Sequence, residues 1–298
     1  MKVRLGSFLL VCFISVTVTA QVKRLTINPA QTGTGIVMVH EPHVAYIDTA
    51  VKPLGKLLLM IVGTGAGADH NVPFFNYAAT LGYHVVSLDY KNNVITTVCS
   101  NSEDSSCFNR FRQEIVFGEP VSPLVEVDSV NSIYNRFQKL LLYLSKTYAK
   151  QGWGQFIKNG LIQWPKITVA GHSQGAGHAA YFGKKFPLDR VLMLAGPQDY
   201  LAKYSTPAPW LSGKSTTPVS KYYAFLHVKD PYDFNKQLAD DMTVMRSTTP
   251  DTLIVQPNTP VATNKHILVV NTATSNPHES MMQPGFEKAW GYLLGSKK

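Results

Sequence analysis

The chain predicts an α/β fold: a mostly parallel central sheet with helices on both faces and a short antiparallel edge at the N-terminal end. Three observations carry that expectation. Six runs of strand length, "KLLLMIVG", "YHVVSLDY", "KITVAG", "RVLMLAG", "KYYAFLHV" and "HILVVNT", are almost continuously apolar, as strands buried on both faces are. Segments with helical spacing stand between them, including "FFNYAATLG", "GAGHAAYFGKKF" and the stretch from about Asp128 to Tyr148. The two kinds alternate over roughly 240 residues, which is the pattern of a sheet layered between helices.

Taken in order, the first twenty residues have a basic start at Lys2 and Arg4, an apolar run from Phe8 to Val18, and small residues at Val18 and Ala20. This predicts a secretory signal peptide over 1–20, cut between Ala20 and Gln21, with one domain over 21–298. Cys12 follows Val11 rather than Gly or Ala, so a lipid-anchored cysteine is disfavoured. From Gln21 to about Lys56, "GIVMVHE" and "HVAYIDTAV" are separated by Pro and Gly and predict antiparallel edge strands. Within the Asp128–Tyr148 helix Ile133, Phe137, Leu140, Leu141 and Leu144 share one face, with Asp128 or Ser129 as cap. The connections Gly196–Ser220 and Asp230–Lys265 are long and rich in Pro or Thr. Both follow the carboxyl ends of strands, where open α/β sheets build their sites. "GFEKAWGYLLG" closes the chain as an amphipathic helix.

Composition narrows the function. Among 298 residues the formal charge is +9, and removing Lys2 and Arg4 leaves about +7 for the mature chain. Lys and Arg are scattered rather than clustered, so no nucleic-acid partner is expected. No later stretch reaches the ~18 apolar residues of a membrane span, and a soluble mature protein, secreted or periplasmic, is expected. Cys99 and Cys107 are eight positions apart in "CSNSEDSSC". In an oxidising compartment that spacing predicts a disulfide, against the alternatives of half a metal site or two free thiols. Zinc would need further Cys or His nearby.

Two glycine-containing stretches carry chemistry. "GTGAGA", Gly63 to Ala68, fits a dinucleotide fingerprint after a strand, with Asp89 ending the next strand as a ribose ligand. Asp69, His70, Asn71 and Pro73 follow immediately, where that fold needs a helix already running, so the nucleotide reading is disfavoured. The other reading is a loop whose free backbone amides stabilise a developing oxyanion. "TVAGHSQGAGHAAYFG" then supplies the nucleophile. Ser173 stands between Gly171 and Gly175 at a strand-to-helix turn, where side chains on the flanking residues would clash. A serine hydroxyl needs a neutral imidazole to take its proton, and the imidazole needs a carboxylate to fix its tautomer. Of the nine histidines, His278 alone lies in a Pro-marked loop after the last strand. His172, His178, His227 and His266 are expected to be structural, His172 pointing away across the turn.

"GHSQG", the "GTGAG" loop and the order serine, acid, histidine resemble the α/β-hydrolase superfamily, and within it the secreted serine esterases and lipases. The resemblance implies an acid two strands beyond the serine, matching Asp230 in "HVKDPYDF" with Asp233 as near alternative, and a histidine after the last strand, matching His278. Some lipases of the superfamily carry the acid one strand earlier, which here is Asp199. The oxyanion donors implied are the amides of Gln174 and of Thr64 or Gly65; the family's His-Gly-Gly form of that loop is absent. The expectation is an exported serine hydrolase of carboxylic esters, acting on a small-molecule or lipid ester, with catalytic Ser173, His278 and Asp230 and no cofactor or metal. Trp210 and the prolines around it are expected to shape the substrate pocket. A thioesterase or peptidase would use the same residues, a non-catalytic binding protein on this scaffold is a further alternative, and the oligomeric state is left open.

Overall fold

The computed structural model describes residues 22–296. The expected signal segment 1–20, with its cleavage point and Cys12, lies outside the described residues.

The chain begins with strands β1 (Val22–Ile27) and β2 (His43–Asp48), then β3 (Leu57–Ile61), helix α1 (Val72–Thr80) and β4 (His84–Ser87). Helices α2 (Cys107–Phe117) and α3 (Ile133–Thr147) follow, then the hairpin of β5 (Ile157–Lys158) and β6 (Leu161–Ile162). Strand β7 (Ile167–His172), helix α4 (Gln174–Lys185) and β8 (Arg190–Leu194) come next, with a second hairpin of β9 (Tyr200–Leu201) and β10 (Thr206–Pro207). The rest comprises β11 (Tyr222–His227), α5 (Phe234–Met245), β12 (Thr252–Ile254), β13 (Ile267–Val270) and α6 (Glu287–Leu294).

Nine strands form one sheet in the order β1-β2-β4-β3-β7-β8-β11-β13-β12. It is parallel from β4 to β12, and β2 joins it antiparallel to both β1 and β4. The fold class is therefore the expected one, and the six apolar runs are β3, β4, β7, β8, β11 and β13. One face packs against α2, α3, α4 and α5, the other against α1 and α6. Parallel strands in adjacent register bring the ends of β3, β7, β8 and β11 together, Ile61 beside Gly171 and His172 beside Leu194. Among the described residues no helix is long and apolar enough to cross a membrane.

Four local expectations are corrected. The edge strands are Val22–Ile27 and His43–Asp48, whereas Ile36–Glu41 is irregular. The amides of Val39 and His40 donate to the buried carboxylate of Asp89 (2.7 and 2.9 Å) instead of to a neighbouring strand. Helix α3 starts at Ile133 with Ser132, not Asp128 or Ser129, as its cap, accepting the amide of Asn135. Helix α2 was not expected, because buried Arg112 and Glu114 interrupt its apolar face. The Asp230–Lys265 connection is no plain loop: it holds α5, whose buried face includes Gln237, Asp240 and Asp241, and the edge strand β12.

Candidate active site

Ser173 sits between β7 and α4 with φ 57° and ψ −124°, a backbone conformation that non-glycine residues rarely hold. Its neighbours explain how the turn is achieved. A Cβ at Gly171 would overlap the carbonyl of Gly175, and one at Gly175 would overlap the carbonyl of Ile61 in β3. Glycine is required at both because helix and strand backbones touch there. The serine amide donates to Leu194 O (2.8 Å) and its carbonyl accepts from Ala176 N (2.9 Å), which fixes the elbow to β8 and to the first turn of α4.

Below the elbow, the buried guanidinium of Arg112 holds the start of α4. Nη1 donates to Gln174 O (2.6 Å), while Nε and Nη2 grip Asp199. Asp199 also accepts from the indole of Trp210 (2.9 Å). That set of partners accounts for the carboxylate of Asp199, which does not meet a histidine. Asp233 is likewise occupied, capping α5 through the amides of Asn235 and Lys236 and pairing with Lys236 Nζ (3.2 Å). Asp230, in the turn after β11, is the acid whose Oδ2 lies 2.7 Å from His278 Nδ1. Its Oδ1 accepts the amide of Tyr232 (2.9 Å), and its side chain is fully shielded from solvent. With Nδ1–H donating to Asp230, Nε2 of His278 is left as an acceptor, and it has no hydrogen-bond partner among the described residues.

Ser173 and His278 line one cavity of about 410 Å³, together with the Gly63–Gly67 loop, His70, His172, Tyr232 and Glu279. The loop lies over the serine, since a Cβ on Gly63 would come within 3.0 Å of Ser173 Cβ. Buried Asn92 shapes it, donating from Nδ2 to the carbonyls of Gly63 (2.7 Å) and Ala66 (2.9 Å). The Gly65 amide donates to Asn92 O (3.1 Å), which removes Gly65 from the expected oxyanion donors. The Thr64 amide meets no acceptor among the described residues, and its hydroxyl donates to Gln174 Oε1 (2.6 Å). The Gln174 amide opens α4 and has no helical acceptor. Asp89, the ribose ligand of the nucleotide reading, is fully engaged with backbone amides and with Arg136 (3.7 Å).

Two expectations about side chains change. His172 does not point away: its ring borders the cavity 5.0 Å from that of His278, and Nε2–H donates to the His278 carbonyl (2.9 Å). Burial pushes its pKa down to about 4, so it is neutral at pH 7. Trp210 is a packing anchor against Tyr181 and Asp199 and does not border this cavity. His227 and His266 are structural as expected, bonded to the carbonyls of Thr272 and Tyr222, and His178 is fully buried on α4.

Sequence patterns missed several residues at the site. Glu279, next to His278, pairs with His70 (3.2 Å). Burial opposes its charge, but the hydrogen bond to His70 and the surrounding imidazoles outweigh that and hold it at about 2, an anion on the cavity wall. Gln198, immediately after the Gly-Pro pair that follows β8, donates from Nε2 to Ser173 Oγ at 3.3 Å. The one available signal for Gln198 and Asn92 was position, since each stands just beyond the carboxyl end of a core strand. Cys99 and Cys107 are joined as expected, with Cα atoms 5.6 Å apart, at the start of α2.

No protein-family model matches the chain, and no curated protein sequence matches it. Among solved structures, Bacterial Heroin Esterase is similar over 93% of this chain and 83% of its own, at 13% identity and a TM-score of 0.46.

Proposed function

We propose that this chain is an exported serine hydrolase of carboxylic esters, with Ser173 as nucleophile, His278 as general base and acid, and Asp230 as the acid that orients it. The observation carrying the proposal is a serine at a strained strand-to-helix turn, sharing a cavity with an imidazole whose Nδ1 is held by a buried carboxylate. Ser173 Oγ attacks the acyl carbon while His278 Nε2 takes its proton, and the tetrahedral oxyanion meets the amides of Gln174 and Thr64. Collapse breaks the acyl–oxygen bond, and His278 returns the proton to the departing alcohol. Water, activated by the same imidazole, then releases the acid and restores the serine. In the free protein Oγ takes a hydrogen bond from Gln198, and closure onto His278 accompanies substrate binding, as catalytic hydrogen bonds often tighten only then. The Cys99–Cys107 disulfide supports export.

The test is steady-state hydrolysis of p-nitrophenyl acetate by Ser173→Ala, His278→Ala and the double variant. Each single change should lower kcat by about 10⁴–10⁶-fold, and the double should lose no more, because the two act as a unit. Additive losses, or a Ser173→Ala protein that keeps its activity, would overturn the assignment.

A further inference from the structure

Tyr232 lines the cavity that holds Ser173 and also a second cavity of about 370 Å³. Gln198, which lines the second, reaches the Ser173 hydroxyl with its amide. A volume of this order is within the range of about 300–1,000 Å³ that small-molecule sites occupy.

The chemistry of its walls is specific. Thr97, Ser100, Asn101, Gln198 and Lys236 present hydroxyl, amide and ammonium groups, Tyr200 and Tyr232 present phenol rings, and only Ala202 and Pro231 lack a polar side-chain group. An aliphatic chain gains about 0.8 kcal/mol for each methylene moved from water into apolar surroundings. Here about half of the wall that a ligand meets is polar, and an aliphatic chain would strip water from those hydroxyls and amides and leave them unpaired. The charges cancel: Lys236 is paired with Asp233 (3.2 Å), and its ammonium lies over the Tyr200 ring (5.9 Å from the centroid). An ionic ligand is therefore not called for. Buried Gln198, which lines this cavity, keeps Oε1 without a hydrogen-bond partner among the described residues.

One wall is built by the disulfide. Thr97, Ser100 and Asn101 belong to the short turn that contains Cys99, and the bond to Cys107 ties that turn to the start of α2. The turn also docks on the hairpin after β8, where Lys203 N donates to Ser100 O (3.4 Å) and Tyr204 Oη to Glu103 O (2.6 Å). On the other side, the Tyr232 ring packs 4.7 Å from the ring of His278, the group that returns a proton to the departing alcohol.

We propose that this second cavity is the subsite for the alcohol half of the ester, and that this alcohol is a neutral, polyhydroxylated ring, so that the substrate is an O-acylated carbohydrate. The proposal rests on the reading of Ser173 as nucleophile. The sugar oxygen leaves with the proton that His278 took from Ser173, while the acyl group stays on the serine beneath the Gly63–Gly67 loop until water removes it.

The experiment compares kcat/KM for a panel of mono-O-acetylated methyl hexosides and pentosides and for ethyl acetate, which carries the same acyl group on an alcohol without further hydroxyls. At least one acetylated sugar should exceed ethyl acetate by about 100-fold or more, because a site built to hydrogen-bond hydroxyls discriminates against analogues lacking them. The double change Thr97→Val with Asn101→Ala should lower that advantage about tenfold, chiefly through KM. Hydrolysis of simple acetates with no preference for any sugar, or a double variant that lowers all substrates alike, would overturn the subsite while leaving the nucleophile standing. Failure to hydrolyse any ester, with no fluorophosphonate adduct, would overturn the nucleophile and the subsite together.

Discussion

Asp199 and Asp230 are both shielded carboxylates near the same serine, yet neutralising each should fail in a different way. In Asp199→Asn the fully buried guanidinium of Arg112 loses its counter-charge and one of its two hydrogen bonds to the side chain at 199, because an amide nitrogen cannot accept, while its bond to Gln174 O remains. Breaking a buried pair by removing one partner costs about 3–5 kcal/mol. For a domain of this size that lowers Tm by about 5–10 °C. Hydrolysis at 20 °C should stay within tenfold, since Asp199 has no contact with His278. In Asp230→Asn the amide of Tyr232 keeps its acceptor at Oδ1, so Tm should move by less than about 2 °C. The contact with His278 Nδ1, however, no longer selects the tautomer that leaves Nε2 free, and kcat should fall by about 10³–10⁴-fold. Asp233→Ala removes a helix cap at a cost of about 1 kcal/mol and should leave activity within twofold. Near-UV circular dichroism on heating and p-nitrophenyl acetate hydrolysis read the two axes separately. If Asp199→Asn abolished turnover at unchanged Tm while Asp230→Asn remained active, the assignment of the acid would be refuted.

Closing the eight-residue separation between Cys99 and Cys107 stabilises the fold by about 2.5 kcal/mol in the chain-entropy account; intact mass under native alkylation should find neither thiol free, and quantitative modification of both would contradict this. Asp241 is fully buried, neither of its carboxylate oxygens has a hydrogen-bond partner among the described residues, and burial followed by the nearby Asp240 raises its pKa well above the ordinary value. A raised folded-state pKa contributes stability that is complete below the unfolded value of about 4 and is lost as pH rises through the folded value. Asp241→Asn should therefore be more stable than the parent at pH 8, with the difference shrinking toward pH 4, and a constant difference across that range would contradict the assignment. Gly175→Ala would press a methyl group into the carbonyls of Ile61 and Val62, and should yield insoluble or thermally weakened protein with no esterase activity, whereas a soluble variant with parental Tm would refute the packing of the elbow.

The parts of the fold that were legible in the sequence are those where one force dominates. Strands β3, β4, β7, β8, β11 and β13 are buried on both faces, so their apolar runs are unbroken, and the elbow glycines stand where backbones touch. Helices α2 and α5 were not legible because Arg112, Glu114, Asp240 and Asp241 occupy core positions that an amphipathic pattern reserves for apolar residues. Their partners, such as Asp199 for Arg112 and the amides of Val121 and Val127 for Glu114, are distant along the chain or lie in irregular segments. The irregular path of Ile36–Glu41 was hidden for the same reason, since Asp89 is about fifty positions away. At the site, residue type and order along the chain led to Ser173, His278 and Asp230, and geometry was needed to find that Asp230, rather than Asp199 or Asp233, meets His278, that the Gly65 amide is already taken by Asn92 O, and that Gln198, Tyr232 and Glu279 lie beside them.

The central claim is that Ser173 is the nucleophile, and the most direct measurement is covalent capture by a fluorophosphonate, in which the attacking hydroxyl displaces fluoride and stays bonded to phosphorus. Intact mass should show one adduct per chain, peptide mapping should place it on Ser173, and Ser173→Ala should take up none while keeping its fold. An adduct on a different serine, or no adduct on the folded protein at probe concentrations that exhaust other serine hydrolases, would contradict the account.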